Sequence, residues 1–316
     1  MHIFNILQPT STMHPVSAIL PVFGLILIAF LLRRFDFPSK DFWPHAEKLT
    51  YYVLFPALLV DKLSSIHLTD QPVWQMEASF CGAICMVAAI LVMFQHTIES
   101  DGPAFTSIFQ GSIRPNTYIG LSIAGGLFGD LGLSLAAVVM MVSIPLVNIL
   151  SVSVLERHGH GHSGAGITNT VIQLFRNPLI LSCMAGFAIN GCNATIPTAA
   201  AEILRILGSA SLPMGLLSVG AGLSLLAIFQ GRRDVLISAA FRLALFPLIA
   251  WSIAILFGVT GIPLAVCIIF ASIPVSVSSF ILTRVMGGDH ELMAAIITAQ
   301  TLLSAITIPV VLSFVV

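Results

Sequence analysis

The 316-residue chain carries 13 Lys and Arg against 14 Asp and Glu, a net charge of −1. Only 9% of its residues are charged and 57% are hydrophobic, with a mean hydropathy of +1.01. A soluble domain carries about 25% charged residues to face water, so these figures exclude one and make lipid the expected main solvent. The balanced charge, with no charged tail, offers nothing to a nucleic acid.

A bilayer core takes about 20 helical residues. Apolar stretches of that order recur near 15–34, 46–66, 73–95, 104–128, 132–155, 171–191, 200–228, 234–258, 262–286 and 291–315. Runs such as Val87-Ala88-Ala89-Ile90-Leu91-Val92 do not alternate, so the spans are expected to be helices rather than barrel strands. The first run ends in Arg33-Arg34 instead of a small-residue cleavage site, which predicts a retained span and not a removable signal. Cys81, Cys85, Cys183, Cys192 and Cys267 fall in or beside spans with no CxxC or metal-ligand spacing, and are read as packing residues.

With the N-terminus outside, the loops after spans one, five, seven and nine collect Arg33, Arg34, Lys40, Arg157, Arg232, Arg233 and Arg284, while the opposite side has little more than Lys62. This positive-inside bias predicts a multi-pass protein of the bacterial inner membrane with both termini outside.

Prolines expose a duplication. Pro15, Pro56, Pro115 and Pro145 are echoed by Pro178, Pro213, Pro274 and Pro309 at offsets of 163, 157, 159 and 164. The offset of 159 continues without a gap from Gly129-Asp130-x-x-Leu133-x-x-Ala136 to Gly288-Asp289-x-x-Leu292-x-x-Ala295. An odd number of spans per copy inverts the second copy, the design of many secondary transporters. The expected organisation is all-α: a first five-helix repeat over 1–156, a cytoplasmic linker over 157–170 and an inverted five-helix repeat over 171–316. In the linker, His158, His160 and His162 alternate with glycine; a plain polar tether is the preferred reading, metal binding the alternative.

Proline inside a helix frees backbone groups that protein, water or ligand must satisfy in lipid. The fourth and ninth spans are therefore expected to be broken at Arg114-Pro115-Asn116-Thr117-Tyr118 and at Pro274-Val275-Ser276-Val277-Ser278-Ser279, and to cross near the midplane with half-helix N-termini facing an anion. Arg114 lies about 14 Å into its helix from Phe105 and is costly there without a partner. Its repeat mate is Ile273, so the charge is one-sided. The expected substrate-binding residues are Arg114, Pro115, Asn116, Thr117, Tyr118, Pro274, Ser276, Ser278 and Ser279, with a carboxylate as the ligand of the guanidinium; pairing of Arg114 with Asp61 is the structural alternative. Arg176 and Arg242 are expected to snorkel to the cytoplasmic face, Lys48, Tyr51 and Tyr52 to anchor at the interface, and Gln300 and Asn148 either to complete the cavity or to bond between helices. No Asp or Glu occurs in 103–129 or 235–288, so the broken spans bring no carboxylate for a cation, and export driven by the membrane potential is the expectation.

Six further stretches carry a resemblance: Tyr52-Val53-Leu54-Phe55-Pro56-Ala57-Leu58-Leu59, Asn116-Thr117-Tyr118-Ile119-Gly120, Arg176-Asn177-Pro178-Leu179-Ile180, Ser211-Leu212-Pro213, Ala271-Ser272-Ile273-Pro274 and Thr301-Leu302-Leu303-Ser304. Over nearly its whole length the chain resembles the auxin efflux carrier family, which belongs with the bile-acid/sodium symporter-like folds. The resemblance implies a ten-span carrier of organic anions such as malonate or malate, with no cofactor, bound where the broken helices cross, with Asn116 and Pro274 in the crossover motif and a homodimer as the expected assembly. The runner-up is a sodium- or proton-coupled symporter. An intramembrane hydrolase is disfavoured because the inverted repeat puts Asp130 and Asp289 on opposite faces and His290-Glu291 lacks a second zinc-site His; a membrane sensor would want an output domain.

Overall fold

The computed structural model describes residues 15–65, 72–98, 100–159, 177–229 and 231–315. They form α1 (Pro15–Arg34), α2 (Phe42–Leu49), α3 (Phe55–Ser64), α4 (Val73–Met93), α5 (Gln95–Ile98), α6 (Gly102–Ile113), α7 (Thr117–His158), α8 (Pro178–Gly191), α9 (Thr198–Ala221), α10 (Arg232–Ala240), α11 (Phe246–Leu256), α12 (Gly261–Ser272), α13 (Ser278–Val285) and α14 (His290–Leu312). Single π-helical turns, Thr50–Leu54 and Phe241–Leu245, join α2 to α3 and α10 to α11. Among the described residues no strand forms, as expected where every backbone group must be satisfied without water. Six stretches are long and apolar enough to cross a bilayer: Ser17–Arg34, Val73–Met93, Thr117–His158, Thr198–Ala221, Arg232–Leu256 and His290–Leu312.

At 42 residues, α7 would reach about 63 Å if straight, twice a bilayer core. It does not run straight. Gly129 takes φ 58° and ψ −141° within it, a conformation glycine adopts without the Cβ penalty, and the chain turns there between the two apolar runs expected near 104–128 and 132–155.

The helices segregate into two bundles. In one, α1 packs on α9, and α3 packs on both α8 and α9. In the other, α4 packs on α11, α12 on α7, and α6 on α7, α10 and α14. One end of the second bundle brings Asp289 N–H to the Pro103 carbonyl (3.2 Å) and Ser100 Oγ to Asp234 (2.7 Å). The opposite end holds Lys62 between Asp61 (3.2 Å) and Asp130 (3.0 Å). Asp130 and Asp289 thus lie far apart and form no catalytic pair.

The cysteines divide. Cys183 and Cys267 are buried packing residues, whereas Cys85 and Cys192 are exposed and Cys81 is partly covered. The expectation of uniform packing is corrected because the lipid-facing sides of α4 and the end of α8 tolerate a thiol without a protein neighbour.

Close helix approach depends on small residues, as in membranes generally. A Cβ on Gly220 of α9 would collide with the Ile26 carbonyl of α1, and backbone cannot swing aside as a side chain would. Gly220→Ala should cost about 1–3 kcal/mol by overpacking, read as a lower unfolding temperature in detergent, whereas Gly24→Ala, with open space around it, should leave that temperature unchanged.

Candidate functional site

Pro115 and Pro274 lack an N–H, so the helical carbonyls four residues earlier, Gly111 and Phe270, lose their donors. α6 stops at Ile113 and α12 at Ser272. The two extended segments that follow run antiparallel, with Pro115 facing Val275. Since Pro115 cannot donate, this pair is held by its neighbours: Asn116 N–H donates to Pro274 O (2.9 Å) and Ser276 N–H to Arg114 O (3.2 Å). Val275 N–H points the other way and donates to Gln300 Oε1 (2.9 Å).

Two buried side chains supply the missing donors. Gln300 Nε2 donates to Gly111 O at 3.0 Å and to Ser238 Oγ at 3.1 Å. Arg242 Nη2 donates to Phe270 O (2.7 Å), its Nε to Ile273 O (2.6 Å) and its Nη1 to Ile113 O (3.4 Å). Its guanidinium also lies 4.8 Å from the Phe246 ring centroid, a cation–π contact. Arg242 is fully buried, so the expected snorkelling is corrected: the Phe270 carbonyl stripped by Pro274 and the helix-end carbonyls of Ile113 and Ile273 lie within reach and hold the charge at the crossing. Arg176 lies outside the described residues. For Gln300 the bonding between helices prevails over cavity lining.

Beside the crossing lies a cavity of about 180 Å³. From the second bundle it is lined by Arg114, Pro115, Thr117, Tyr118, Asn148, Ser276 and Ser278; from the first, and from the residues leading into α8, by Glu47, Tyr51 and Asn177. Arg114 Nη1 is buried with no hydrogen-bond partner. The alternative of an Asp61 partner fails, because Asp61 pairs with Lys62. The first turns of α7 and α13 both reach this cavity, so their positive dipole ends add to the Arg114 charge. The Tyr118 ring packs edge-on to Phe55 (5.1 Å) and against Gly215. Ser276 and Ser278 hydroxyls lie 2.9 Å apart.

Not every expected residue lines the cavity. Asn116 is buried and caps α7, its Oδ1 accepting from Ile119 N–H (3.4 Å), while its Nδ2 has no partner. Pro274 forms the bridge and Ser279 is buried with its hydroxyl unpartnered; neither lines the cavity. Tyr51, expected as an interfacial anchor, faces the cavity instead, because the π-helical turn carries its ring inward; Tyr52 remains exposed. Sequence reasoning missed Glu47, which lies on α2 outside the broken spans, and Asn177, which caps α8 through Leu179 N–H (2.9 Å). Among the described residues no group of three His, Cys, Asp or Glu side chains is placed to hold a metal; His160 and His162 lie outside them.

Residues 165–312 match the model of a family described as membrane transport protein. Two relatives span nearly the whole chain. An uncharacterized transporter of Methanocaldococcus jannaschii is 22% identical over 306 residues, covering 94% of this chain and 97% of that protein. An uncharacterized transporter of Methanothermobacter thermautotrophicus is also 22% identical, over 301 residues with the same coverage. The chain is thus similar along its length to membrane transporters, and its second half matches the family model. These similarities agree with the resemblance to auxin efflux carriers drawn from the motifs.

In this transporter, Arg242→Met would strand three buried carbonyls at about 1–3 kcal/mol each. The expected result is loss of monodisperse protein, or a fall in unfolding temperature well beyond that of Gly220→Ala. Arg242→Lys should rescue only partly, since an ammonium cannot span the fan of acceptors that a planar guanidinium reaches.

Proposed function

We propose that this transporter carries small organic anions, carboxylates foremost, by alternating access, and that the anion binds beside Arg114 where the broken helices cross. One observation carries the reading: a guanidinium with a buried, unpartnered Nη1 opens onto a cavity between two helix bundles. A buried cation without a protein partner is costly, and an anion with planar oxygen pairs offsets that cost through bidentate bonds. The cavity's 180 Å³ corresponds to about six water volumes, below the usual range for drug-sized ligands. It suits a dicarboxylate of a few carbons better than a sterol-sized acid.

Alternating access is supported by where the cavity lies. The bundle with α4, α6, α7 and α10–α14 contributes the charge and the half-helix N-termini, and the bundle with α1, α3, α8 and α9 forms the opposing wall with α2. Rocking one against the other exposes the cavity to either side without dismantling the crossing. Two twelve-residue half-helices, α6 and α12, set 159 residues apart and followed by extended segments that pair antiparallel, support the reading as ten spans in two inverted repeats. Arg157, Arg232, Arg233 and Arg284 flank segments at the end that joins Asp289 to Pro103, which supports a cytoplasmic assignment for that end and external termini.

Export driven by potential alone rested on the lack of carboxylates in the broken spans. Glu47 enters the cavity from α2 and favours the proton-coupled form of the same carrier.

The test is binding and uptake of labelled malonate and malate by purified protein in detergent and in liposomes. Arg114→Ala should weaken binding roughly 10–100-fold, the worth of one or two charge-assisted bonds, while unfolding temperature is kept or raised. Arg114→Lys should recover part of it. Unchanged binding by Arg114→Ala would overturn the assignment of Arg114 as the anion ligand.

A further inference from the structure

Glu47 is shared by two cavities. The first is the 180 Å³ space beside Arg114; the second, about 490 Å³, opens toward the end of α1 and is lined by Arg33, Trp43, Ser218, Ser224 and Phe280 among others. Glu47 and Val277 line both, and Glu47 is the one acid among the lining residues of either. Each cavity also holds an arginine whose Nη1 is buried without a partner, Arg114 in one and Arg33 in the other. Glu47 takes part in none of the described ion pairs, which join Lys40 to Asp36, Lys62 to Asp61 and Asp130, and Arg205 to Glu202.

Because Glu47 borders both cavities, an anion that moved from the Arg33 cavity to the Arg114 cavity along their shared wall would pass this carboxylate. Between two protein walls like charges are screened far less than in water, so an ionised Glu47 repels the anion. A protonated one lets it pass and donates a hydrogen bond. The groups that line the two cavities with it are Arg33 from α1, Tyr51 from the π-helical turn, and Arg114 and Tyr118 from the crossing, while α9, α13 and α14 contribute only uncharged groups such as Ser218, Phe280 and Ala294. His45 and Lys48 of α2 lie on its exposed side.

We propose that Glu47 is the proton-binding group of this transporter and that each anion crosses together with one proton carried on Glu47. This rests on the anion-carrier reading above. The proton joins the Glu47 carboxylate on the side where the anion enters and leaves it on the side where the anion is released, so a monoanion crosses with no net charge and a dianion with one net negative charge, and no other reactant is needed.

The experiment measures binding of labelled malonate to detergent-purified wild type, Glu47→Gln and Glu47→Asn at pH 5.5 and pH 8, followed by proton movement in liposomes loaded with a pH dye. Malonate titrates identically in every sample, so differences between proteins report Glu47. Wild type should bind roughly tenfold or more weakly at pH 8 than Glu47→Gln does, equivalent to at least one unit of linkage, and should carry protons in with malonate. Glu47→Gln should bind at both pH values with less than about twofold additional change and move malonate without protons. If the amide destabilises the fold, Glu47→Asn is read in the same way, and Glu47→Asp should keep the pH response. Identical pH profiles and proton movement in wild type and the neutral variants would overturn the proposal while leaving the anion site standing. Absence of malonate binding to wild type at both pH values, with Arg114→Ala indistinguishable from it, would overturn the anion-site reading and this inference with it.

Discussion

Two prolines without N–H groups, set in a medium without water, organise the rest of this protein. Pro115 and Pro274 each interrupt a span where a free carbonyl cannot be hydrated. The backbone pairing that joins the two breaks places Pro115 opposite Val275, with the bonds made by Asn116 and Ser276. The remaining acceptors go to Arg242 and Gln300, from helices distant in sequence. The crossing is thus a network drawn from four parts of the chain, and removal of any one donor leaves an acceptor in the least polar part of the molecule.

Two arginines close to that crossing show how partners decide role. Arg242 is saturated by three carbonyls and a ring face, so its charge is spent within the protein. Arg114 contributes its backbone to the bridge but keeps an unpartnered amino group at the cavity. Both are buried cations in one neighbourhood. One holds the crossing together, and on the proposed reading the other is left for a ligand, because the Phe270, Ile273 and Ile113 carbonyls face Arg242 whereas Arg114 lines the cavity.

On the proposed reading, the carboxylate at position 47 changes what the site does: a cavity with only Arg114 would follow the membrane potential, whereas one that also holds Glu47 would tie anion movement to a titrating group. α2 brings it there from outside the broken spans, and the π-helical turn after it brings Tyr51 to the same wall. The cavity is therefore lined from both sides of the boundary between two bundles, which is where the proposed relative motion would act on it.

Some of this was legible in the residues themselves. Composition determined a membrane protein, since few charges and long apolar runs cannot face water. Proline and glycine at an offset of 159 determined the breaks at 114–116 and 273–275, because proline removes a donor wherever it stands; the turn at Gly129 falls in the gap between the spans expected near 104–128 and 132–155. Other features depended on partners that come close only in three dimensions. Arg242 read as a snorkelling residue because its distance to the interface along the chain is visible and its distance to Phe270, Ile273 and Ile113 is not. Asn116 and Tyr51 exchanged their expected positions because a cap and a π-helical turn set side-chain direction, which residue spacing alone does not encode. Glu47 was overlooked for the same reason: a carboxylate near the start of a span has no visible relation to Arg114 until two bundles pack and close a cavity around both.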